Sequence, residues 1–141
     1  MSINLDKIKI TKLSEIETNN GNVMHIIKKN EETFKSFGEA YFSWIKKNTI
    51  KGWKKHKKMT MNLVVPVGSV KFVFFDPNLL FSKEITIGEN FYSRITVPPN
   101  LWFGFKGIGK SYNLVLNIAS ILHNPEEVDK FDLRKLDYNW G

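Results

Sequence analysis

The feature that most restricts the fold of this chain is a series of short segments rich in β-branched and aromatic residues. Glycine, proline, asparagine or aspartate bounds each segment, and these residues end strands and form turns. The segments are Ala40–Ile45, Ile50–His56, Met59–Val67, Val70–Asp76, Glu84–Ile87, Tyr92–Val97, Trp102–Phe105 and Tyr112–Ala119. A parallel α/β fold would need helical patterns between them, and none is present. The series predicts an all-β fold of antiparallel strands, a sandwich or a barrel.

The turns and the two ends of the chain carry more local signals. Gly68 and Ser69 separate two of the segments and predict a tight hairpin, because glycine accepts the positive φ that such turns need. Ile8–Lys12 is typical of an edge strand. In His123–Lys130, Asn124 stands as an N-cap before a proline and two glutamates, which predicts a short helix.

Length and composition predict one domain spanning residues 1–141. The chain has 141 residues, of which 42% are apolar and 13% aromatic, so it can bury a core and is not expected to be disordered. It contains no cysteine, which excludes a disulfide framework, a thiolate nucleophile and a thiolate-ligated metal. No export signal begins the sequence, and no apolar run approaches the roughly 20 residues of a membrane span. We therefore expect a cytoplasmic protein with no membrane partner.

Positive charge is concentrated around one histidine. The net charge is +7, and the segment Lys51–Gly68 opens with KGWKKHKK, in which His56 stands among lysines. A basic surface attracts phosphates of any kind, whether in nucleic acid, anionic lipid or a nucleotide-linked substrate. The alternative is a solvated lysine-rich face without a specific ligand. Composition alone leaves these readings open.

The order of several motifs resembles a known family. GEAYFSWI, KGWKKH, MTMNLVVPVGSVKFVFFD, ITVPPNLWFGF, NIASILHNPEEVDK and LDYNW follow one another between Asn20 and Trp140. This order is similar to that of the dTDP-4-dehydrorhamnose 3,5-epimerase-like cupins, with the sugar 3,4-ketoisomerases as relatives. The resemblance implies a jelly-roll cupin fold, a homodimer, no metal or cofactor, and a nucleotide-linked 4-keto-6-deoxy sugar, such as a dTDP-sugar, as substrate. It also argues against a nucleic-acid-binding barrel.

The chain departs from the family pattern at three positions. Family epimerases carry Arg-Gly-x-His before the third strand, and Lys54 stands where that catalytic base would be. In the ketoisomerase pattern Arg-Gly-x-His-x-His-Lys, His56 and Lys57 match the second histidine and the lysine. Met61 occupies the place of an enolate-stabilising lysine, and the segment 122–125 lacks the family's catalytic tyrosine.

The metal site of other cupins is not expected in this chain. Such a site needs two histidines and a glutamate from one motif and a further histidine from another. The first motif here holds His56 alone, Met59–Val67 contains no glutamate, and Trp102 and Phe103 occupy the second histidine's place.

The first set of candidate site residues comprises the groups expected to carry out the chemistry. His56 is the candidate base, because proton abstraction beside a ketone needs a group that titrates near neutral pH. Strand alternation places Lys54 on the same face as His56, where its ammonium would stabilise an enolate oxygen. His123 and Tyr92 are the candidate acids, and Tyr41 and Tyr112 are further tyrosines that could donate a proton. The alternative is that neither of the first two is catalytic: His123 would simply precede the predicted helix, and Tyr92 would pack inside the barrel.

A second set is expected to bind the substrate. Lys51 and Arg94 are candidates for the phosphates. Tyr41, Trp53 and Trp102 would line a sugar pocket, although aromatic residues also fill cores. Asn62, Asn113 and Asn117 lie in apolar strands and need polar partners, so at least one of them is expected to face a polar cavity.

Three functions remain open on the sequence. The first is an epimerase acting at C3 and/or C5 of a 4-keto-6-deoxy sugar, with a 3,4-ketoisomerase as its close alternative. The second is a cupin that binds a nucleotide sugar without catalysis. The third, a nucleic-acid-binding barrel, would use the lysines with Trp44 and Trp53.

Overall fold

Two five-stranded antiparallel sheets pack face to face in a computed structural model that describes residues 3–141. The first sheet has the strand order β1 (Lys9–Lys12), β9 (Ser93–Val97), β6 (Met61–Val67), β11 (Tyr112–Ala119) and β4 (Glu39–Lys46). The second has the order β12 (Val128–Lys130), β5 (Ile50–His56), β10 (Trp102–Gly107), β7 (Ser69–Phe75) and β8 (Ser82–Gly88). This arrangement confirms the all-β jelly roll.

The remaining elements are short. A two-stranded hairpin joins β2 (Glu15–Ile16) and β3 (Val23–Met24), and one helical turn, α1, covers Ile3–Asp6. Two 3-10 turns lie at Pro125–Glu127 and Leu133–Lys135. Within residues 3–141, no helix has both the length and the apolar character that crossing a bilayer would require.

The inner faces of the two sheets form the main core. Phe72 and Phe74 from the second sheet and Ile95 from the first are fully buried there. Their inward positions follow from strand alternation, because residues two apart in a strand lie on the same side of a sheet. The same alternation gives each sheet an outer face, and parts of both outer faces are covered.

The hairpin predicted at Gly68 is wrong. β6 belongs to the first sheet and β7 to the second, so the chain passes from one sheet to the other at this point. Gly68 does have the expected positive φ, 81°. A Cβ there would lie 2.1 Å from Asn113 Oδ1, which accepts a hydrogen bond from the Ser69 N–H. Glycine is therefore required because the chain turns here from one sheet to the other directly against the Asn113 side chain, and not because it forms a two-residue hairpin turn.

The end of the chain also differs from the prediction. Asn124 caps as expected, since its side chain accepts a hydrogen bond from the Glu126 N–H at 3.0 Å. The helix is a single 3-10 turn, however, and β12 follows it at once. This strand pairs with β5, aligning Val128 with His56 and Lys130 with Lys54. Strand pairing within the second sheet therefore replaces the continuation of the helix.

After β12 the chain covers the outer face of the second sheet. Five apolar residues from this segment pack around the buried Trp53. They are Phe131, Leu133, Leu136, Tyr138 and Trp140. The C-terminal segment therefore covers the outer face of β5, and the side chains on the inner face of this strand are the ones that can contribute to a site.

Candidate functional site

A cavity of about 200 Å³ lies between the two sheets. Six apolar residues form much of its wall: Met59, Met61, Leu63, Phe103, Phe105 and Val115. Polar side chains occupy other parts of the wall: Tyr41, Ser43, Lys51, Lys54, His56, Asn117, His123 and Lys130. An apolar cleft with a few converging polar groups is the usual form of a small-molecule site.

His56 is held in the cavity wall by Glu127. Its Nδ1 lies 2.5 Å from Glu127 Oε1, and the side chain is almost fully buried. The imidazole also stacks on Phe103, with ring centroids 5.8 Å apart and planes 19° apart. No described residue forms a hydrogen bond with Nε2. The carboxylate therefore orients the ring and leaves Nε2 as the available nitrogen.

Glu127 reaches His56 because the 3-10 turn and β12 bring it beside the end of β5. Its other oxygen, Oε2, accepts hydrogen bonds from the N–H groups of Lys58 (3.1 Å) and Met59 (3.3 Å). Burial raises the pKa of this carboxyl, but the hydrogen bonds from His56 and the two N–H groups outweigh burial and hold the pKa below its ordinary value. Glu127 is thus an ionised carboxylate at neutral pH.

Three lysines face the cavity near His56. Lys54 precedes His56 by two residues on the inner side of β5, while Lys51 and Lys130 also line the cavity. Burial, followed by the charges of Lys130 and Lys51, lowers the pKa of the Lys54 ammonium. None of the three forms an ion pair with a carboxylate in residues 3–141. Their charge is therefore available to an anionic ligand.

Tyr41 and Asn117 form a second polar pair in the cavity. They face each other on the paired strands β4 and β11. Asn117 Nδ2 donates a hydrogen bond to the Tyr41 hydroxyl oxygen at 3.1 Å. Asn117 is buried, whereas Tyr41 is 43% exposed and so lies toward the opening.

Comparison with known proteins finds relatives both in sequence and in structure. No family model matches the sequence. Two curated proteins match at low identity over nearly all of both chains. The spore coat polysaccharide biosynthesis protein SpsL of Bacillus subtilis is 21% identical, covering 97% of each chain. The probable low-salt glycan biosynthesis epimerase Agl13 of Haloferax volcanii is 22% identical, covering 98% of this chain and 96% of its own.

Solved structures match more strongly. A dTDP sugar isomerase from Desulfovibrio desulfuricans is 29% identical with a TM-score of 0.88, over 96% of this chain and 91% of its own. A sugar 3,4-ketoisomerase from Thermoanaerobacterium thermosaccharolyticum is 21% identical with a TM-score of 0.76, over 92% and 89%. A 3,5-epimerase from Legionella pneumophila is 15% identical with a TM-score of 0.80, over 94% and 77%.

This chain has the dTDP-4-dehydrorhamnose 3,5-epimerase-like cupin fold. Five of the residues expected at the site line the cavity of this cupin: Tyr41, Lys51, Lys54, His56 and His123. His123 is exposed, and its backbone N–H donates to Glu39 Oε1 at 3.0 Å. The other five expected residues lie elsewhere.

Trp53 and Trp102 lie on the outer face of the cupin's second sheet and do not line the cavity. Trp53 is 1% exposed and packs against Trp140, with ring centroids 5.4 Å apart. Trp102 contacts Phe131 at 4.6 Å between centroids. Strand alternation turns Trp53 away from the side that His56 faces, and the C-terminal segment covers it. The expectation of a sugar pocket lined by these rings is corrected accordingly.

Arg94 and Asn62 form a buried network on the outer face of the first sheet. Arg94 is fully buried and donates to Ile26 O (2.6 Å), Glu31 Oε2 (2.8 Å) and Asn62 Oδ1 (3.1 Å). It also donates to Thr33 Oγ1 at 2.7 Å. The guanidinium is thus occupied in holding the segment 26–33 against the sheet. It does not line the cavity as a phosphate ligand, and the site role expected for Asn62 is corrected with it.

Tyr92 is also removed from the site. It is 5% exposed and lies in a cluster on the outer face of the first sheet. Its hydroxyl donates to His25 O at 2.9 Å, and burial, with a smaller effect of Glu15, raises its pKa. A tyrosine on this face cannot serve as an acid in the cavity.

Sequence reasoning missed Glu127 and Lys130. Glu127 and Lys130 become part of the site through the pairing of β12 with β5, which the expected helix concealed. Of the three strand asparagines that were expected to need polar partners, Asn117 is the one that lines the cavity. In residues 3–141, no group of three or more histidine, aspartate or glutamate side chains is arranged to hold a metal ion.

Glu127→Ala is expected to lower the free energy of unfolding by about 1–3 kcal/mol at pH 7, because the buried Met59 N–H, the partly buried Lys58 N–H and His56 lose their acceptor. The unfolded chain protonates this carboxyl near its ordinary pKa of 4.5, whereas the folded protein does so at lower pH. Its stabilisation is therefore complete above that value and is lost as pH falls through the folded-state pKa.

Denaturant unfolding of both proteins from pH 7 to pH 3 measures the effect. The difference between wild type and Glu127→Ala should shrink on acidification. Glu126→Ala, which removes an exposed neighbouring carboxylate, is the matched control and should change little. A Glu127→Ala difference that stays constant with pH would contradict the role given to the ionised carboxylate.

Proposed function

We propose that this cupin is a nucleotide-sugar epimerase that inverts C3 and/or C5 of a 4-keto-6-deoxyhexose through proton abstraction beside the ketone. The observation that carries the proposal is the contact between His56 Nδ1 and Glu127 Oε1 at 2.5 Å, in a cavity that also contains Lys54. A buried carboxylate bound to one imidazole nitrogen is the arrangement that prepares the other nitrogen as a base.

The base acts through Nε2. The Nδ1–H group donates a hydrogen bond to Glu127 Oε1, so the neutral imidazole carries its lone pair on Nε2. That nitrogen removes the proton from the carbon next to the ketone, and the negative charge of Glu127 stabilises the imidazolium that forms. The electron pair of the broken C–H bond moves into the enolate, whose charge resides on oxygen.

The lysines supply the positive charge that the reaction requires. Lys54 shares the inner face of β5 with His56 and would stabilise the enolate oxygen. Lys51 and Lys130 would contact the diphosphate. A cavity of about 200 Å³ is smaller than the 300–1,000 Å³ typical of sites that enclose whole small molecules. It would enclose the sugar and leave the nucleotide toward the opening.

The named relatives support the substrate class. One solved relative is a 3,4-ketoisomerase variant in complex with TDP-4-keto-6-deoxyglucose, and another is an epimerase in complex with dTDP-4-keto-L-rhamnose. The alternative activity is 3,4-ketoisomerisation, which the match of His56 and Lys57 to the ketoisomerase pattern favours. Both activities begin with the same proton abstraction and need no cofactor.

Incubation with dTDP-4-keto-6-deoxyglucose in D₂O tests the proposal. Nuclear magnetic resonance should show deuterium entering at C3 or C5, and the product identifies epimerisation or migration of the keto group. Binding without exchange, with dTDP-, UDP- and GDP-linked substrates alike, would instead leave a non-catalytic nucleotide-sugar-binding cupin.

We further propose that the protein is a homodimer that uses the outer face of the first sheet. Phe42, Trp44 and Tyr112 are each more than half exposed there, and the Trp44 and Tyr112 rings meet edge-on with centroids 6.1 Å apart. Exposed aromatic patches of this kind mark association surfaces. A second copy of the same face would bury them.

Sedimentation equilibrium should give twice the chain mass of 16.4 kDa for the wild type. Trp44→Glu is expected to shift the protein to the monomer, because each copy would bury an unpaired charge. Leu80→Glu, at a still more exposed apolar residue between β7 and β8, is the control and should remain dimeric. A monomeric wild type at micromolar concentration would refute the proposed dimer.

A further inference from the structure

An epimerase of the proposed kind needs a proton donor as well as a base. When the proton leaves one face of the carbon and returns on the other, a group other than His56 must deliver it. The segment 122–125, where the family places its tyrosine, contains none in this chain. The inference below rests on the proposed function and identifies the missing donor.

The structure leaves one tyrosine for this task. The chain has four tyrosines, all within the described residues, and Tyr41 alone lines the cavity with His56. Tyr92 donates to His25 O on the outer face of the first sheet. Tyr112 packs against Trp44 on that same face. Tyr138 belongs to the C-terminal segment, and its hydroxyl donates a hydrogen bond to Glu84 Oε2.

The contact with Asn117 determines what the Tyr41 hydroxyl can do. Asn117 Nδ2 lies 3.1 Å from the Tyr41 hydroxyl oxygen and 4.0 Å from Met59 Sδ. A thioether sulfur accepts hydrogen bonds and does not donate them, so the amide nitrogen rather than its oxygen belongs on this side. The Tyr41 oxygen therefore accepts from Asn117. Its own proton forms no hydrogen bond with a described residue and is free to be donated.

The stability of the fold does not explain why an asparagine occupies position 117. Its carbonyl oxygen is buried and has no hydrogen-bond partner within residues 3–141. A buried unpaired carbonyl destabilises a fold, and an apolar side chain of similar shape would avoid that cost. Buried polar groups that are incompletely satisfied call for a functional explanation. The contact of Asn117 with Tyr41 supplies one.

We propose that Tyr41 is the general acid of this cupin and that Asn117 is its positioning residue. After His56 has taken the proton, the enolate C=C electron pair forms a new C–H bond with the Tyr41 hydroxyl proton. The O–H bond breaks, its electron pair stays on the phenolate oxygen, and the ketone re-forms. The Asn117 N–H hydrogen bond strengthens as charge develops on that oxygen.

The cycle then closes through solvent. His56 has gained one proton and Tyr41 has lost one, so the protein's net charge is unchanged. The phenolate recovers a proton from water, which reaches Tyr41 because this residue is 43% exposed, and the imidazolium releases one. No oxidant, reductant or further reactant is required.

The variant Tyr41→Phe distinguishes proton donation by Tyr41 from proton abstraction by His56. In D₂O with dTDP-4-keto-6-deoxyglucose, His56 still forms the enolate and returns deuterium to the same face. Deuterium exchange should therefore continue, whereas formation of the inverted product should fall by about 10²-fold or more. Tyr112→Phe removes a hydroxyl from the outer face of the same sheet and should leave both rates unchanged.

Asn117→Leu provides a second variant. It should lower product formation by about tenfold while leaving exchange intact, since one hydrogen bond to the phenolate is lost. Its thermal unfolding midpoint should be equal to or above that of the wild type. A purely structural asparagine would show the reverse, a lower midpoint with unchanged product formation.

The outcomes distinguish this proposal from the one on which it rests. Product formation by Tyr41→Phe at the wild-type rate overturns the role of Tyr41 and leaves the proposed function standing. So does a parallel loss of exchange and product, because a donor is not needed for abstraction. Absence of exchange in the wild type overturns the proposed function and this inference with it. If Tyr41→Phe does not fold, Asn117→Leu decides between the same outcomes.

Discussion

Replacing His56 with asparagine is expected to reduce deuterium exchange into the sugar by about 10²–10⁴-fold, the usual contribution of a positioned base. Asparagine keeps a polar side chain beside Glu127 and can donate to its carboxylate. It has no lone pair basic enough to take a carbon-bound proton. Exchange measured by nuclear magnetic resonance in D₂O, at saturating substrate, isolates this step from binding.

His25→Asn is the matched control for His56→Asn. The hydrogen bonds recorded for His25 are made by its backbone: its N–H donates to Ser14 O, and its carbonyl accepts from Tyr92. Its side chain does not line the cavity, so exchange should be unchanged. Wild-type exchange in folded His56→Asn protein would show that another group removes the proton and would refute His56 as the base.

Arg94→Met is expected to lower the free energy of unfolding by about 3–5 kcal/mol, the range for removing one partner of a buried ion pair. The guanidinium is fully buried, and five groups lose a donor when it is removed. Methionine fills part of the volume without replacing any hydrogen bond. Urea unfolding followed by tryptophan fluorescence measures the change.

Arg134→Met controls for the loss of one positive charge. Arg134 pairs with Asp132 at 2.8 Å, but its side chain is 90% exposed, so solvent screens the pair and little change in stability is expected. These are the two arginines of the chain. If both variants unfold at the same urea concentration, the buried network contributes little and the explanation offered for Arg94 is wrong.

Strand positions were predictable because they depend on local chemistry. The eight predicted segments correspond to β4–β11, and Ile8–Lys12 corresponds to the edge strand β1. Alternation along β5 also placed Lys54 and His56 on one side and Trp53 on the other. Each of these inferences needs only neighbouring residues, since the side-chain period of a strand is two.

The burial of a residue and the sheet to which a strand belongs were not predictable where they depend on segments distant in sequence. Arg94 reads as an ordinary polar residue on an alternating strand, and its burial depends on the segment 26–33, more than 60 residues away in sequence. Similarly, the sequence around Gly68 specifies a turn with positive φ. Whether the next strand joins the same sheet or the opposite one depends on which neighbours each strand finds.

His56, at the centre of the lysine-rich segment, shows the same difference between what neighbouring residues predict and what distant contacts decide. The sequence by itself determined that His56 lies on a strand and shares a face with Lys54. The tertiary structure decided that Glu127, 71 residues later, orients its ring, because β12 pairs with β5. It also decided which tyrosine faces the cavity. Such contacts join residues distant in sequence, and their energies appear only when both strands are in place.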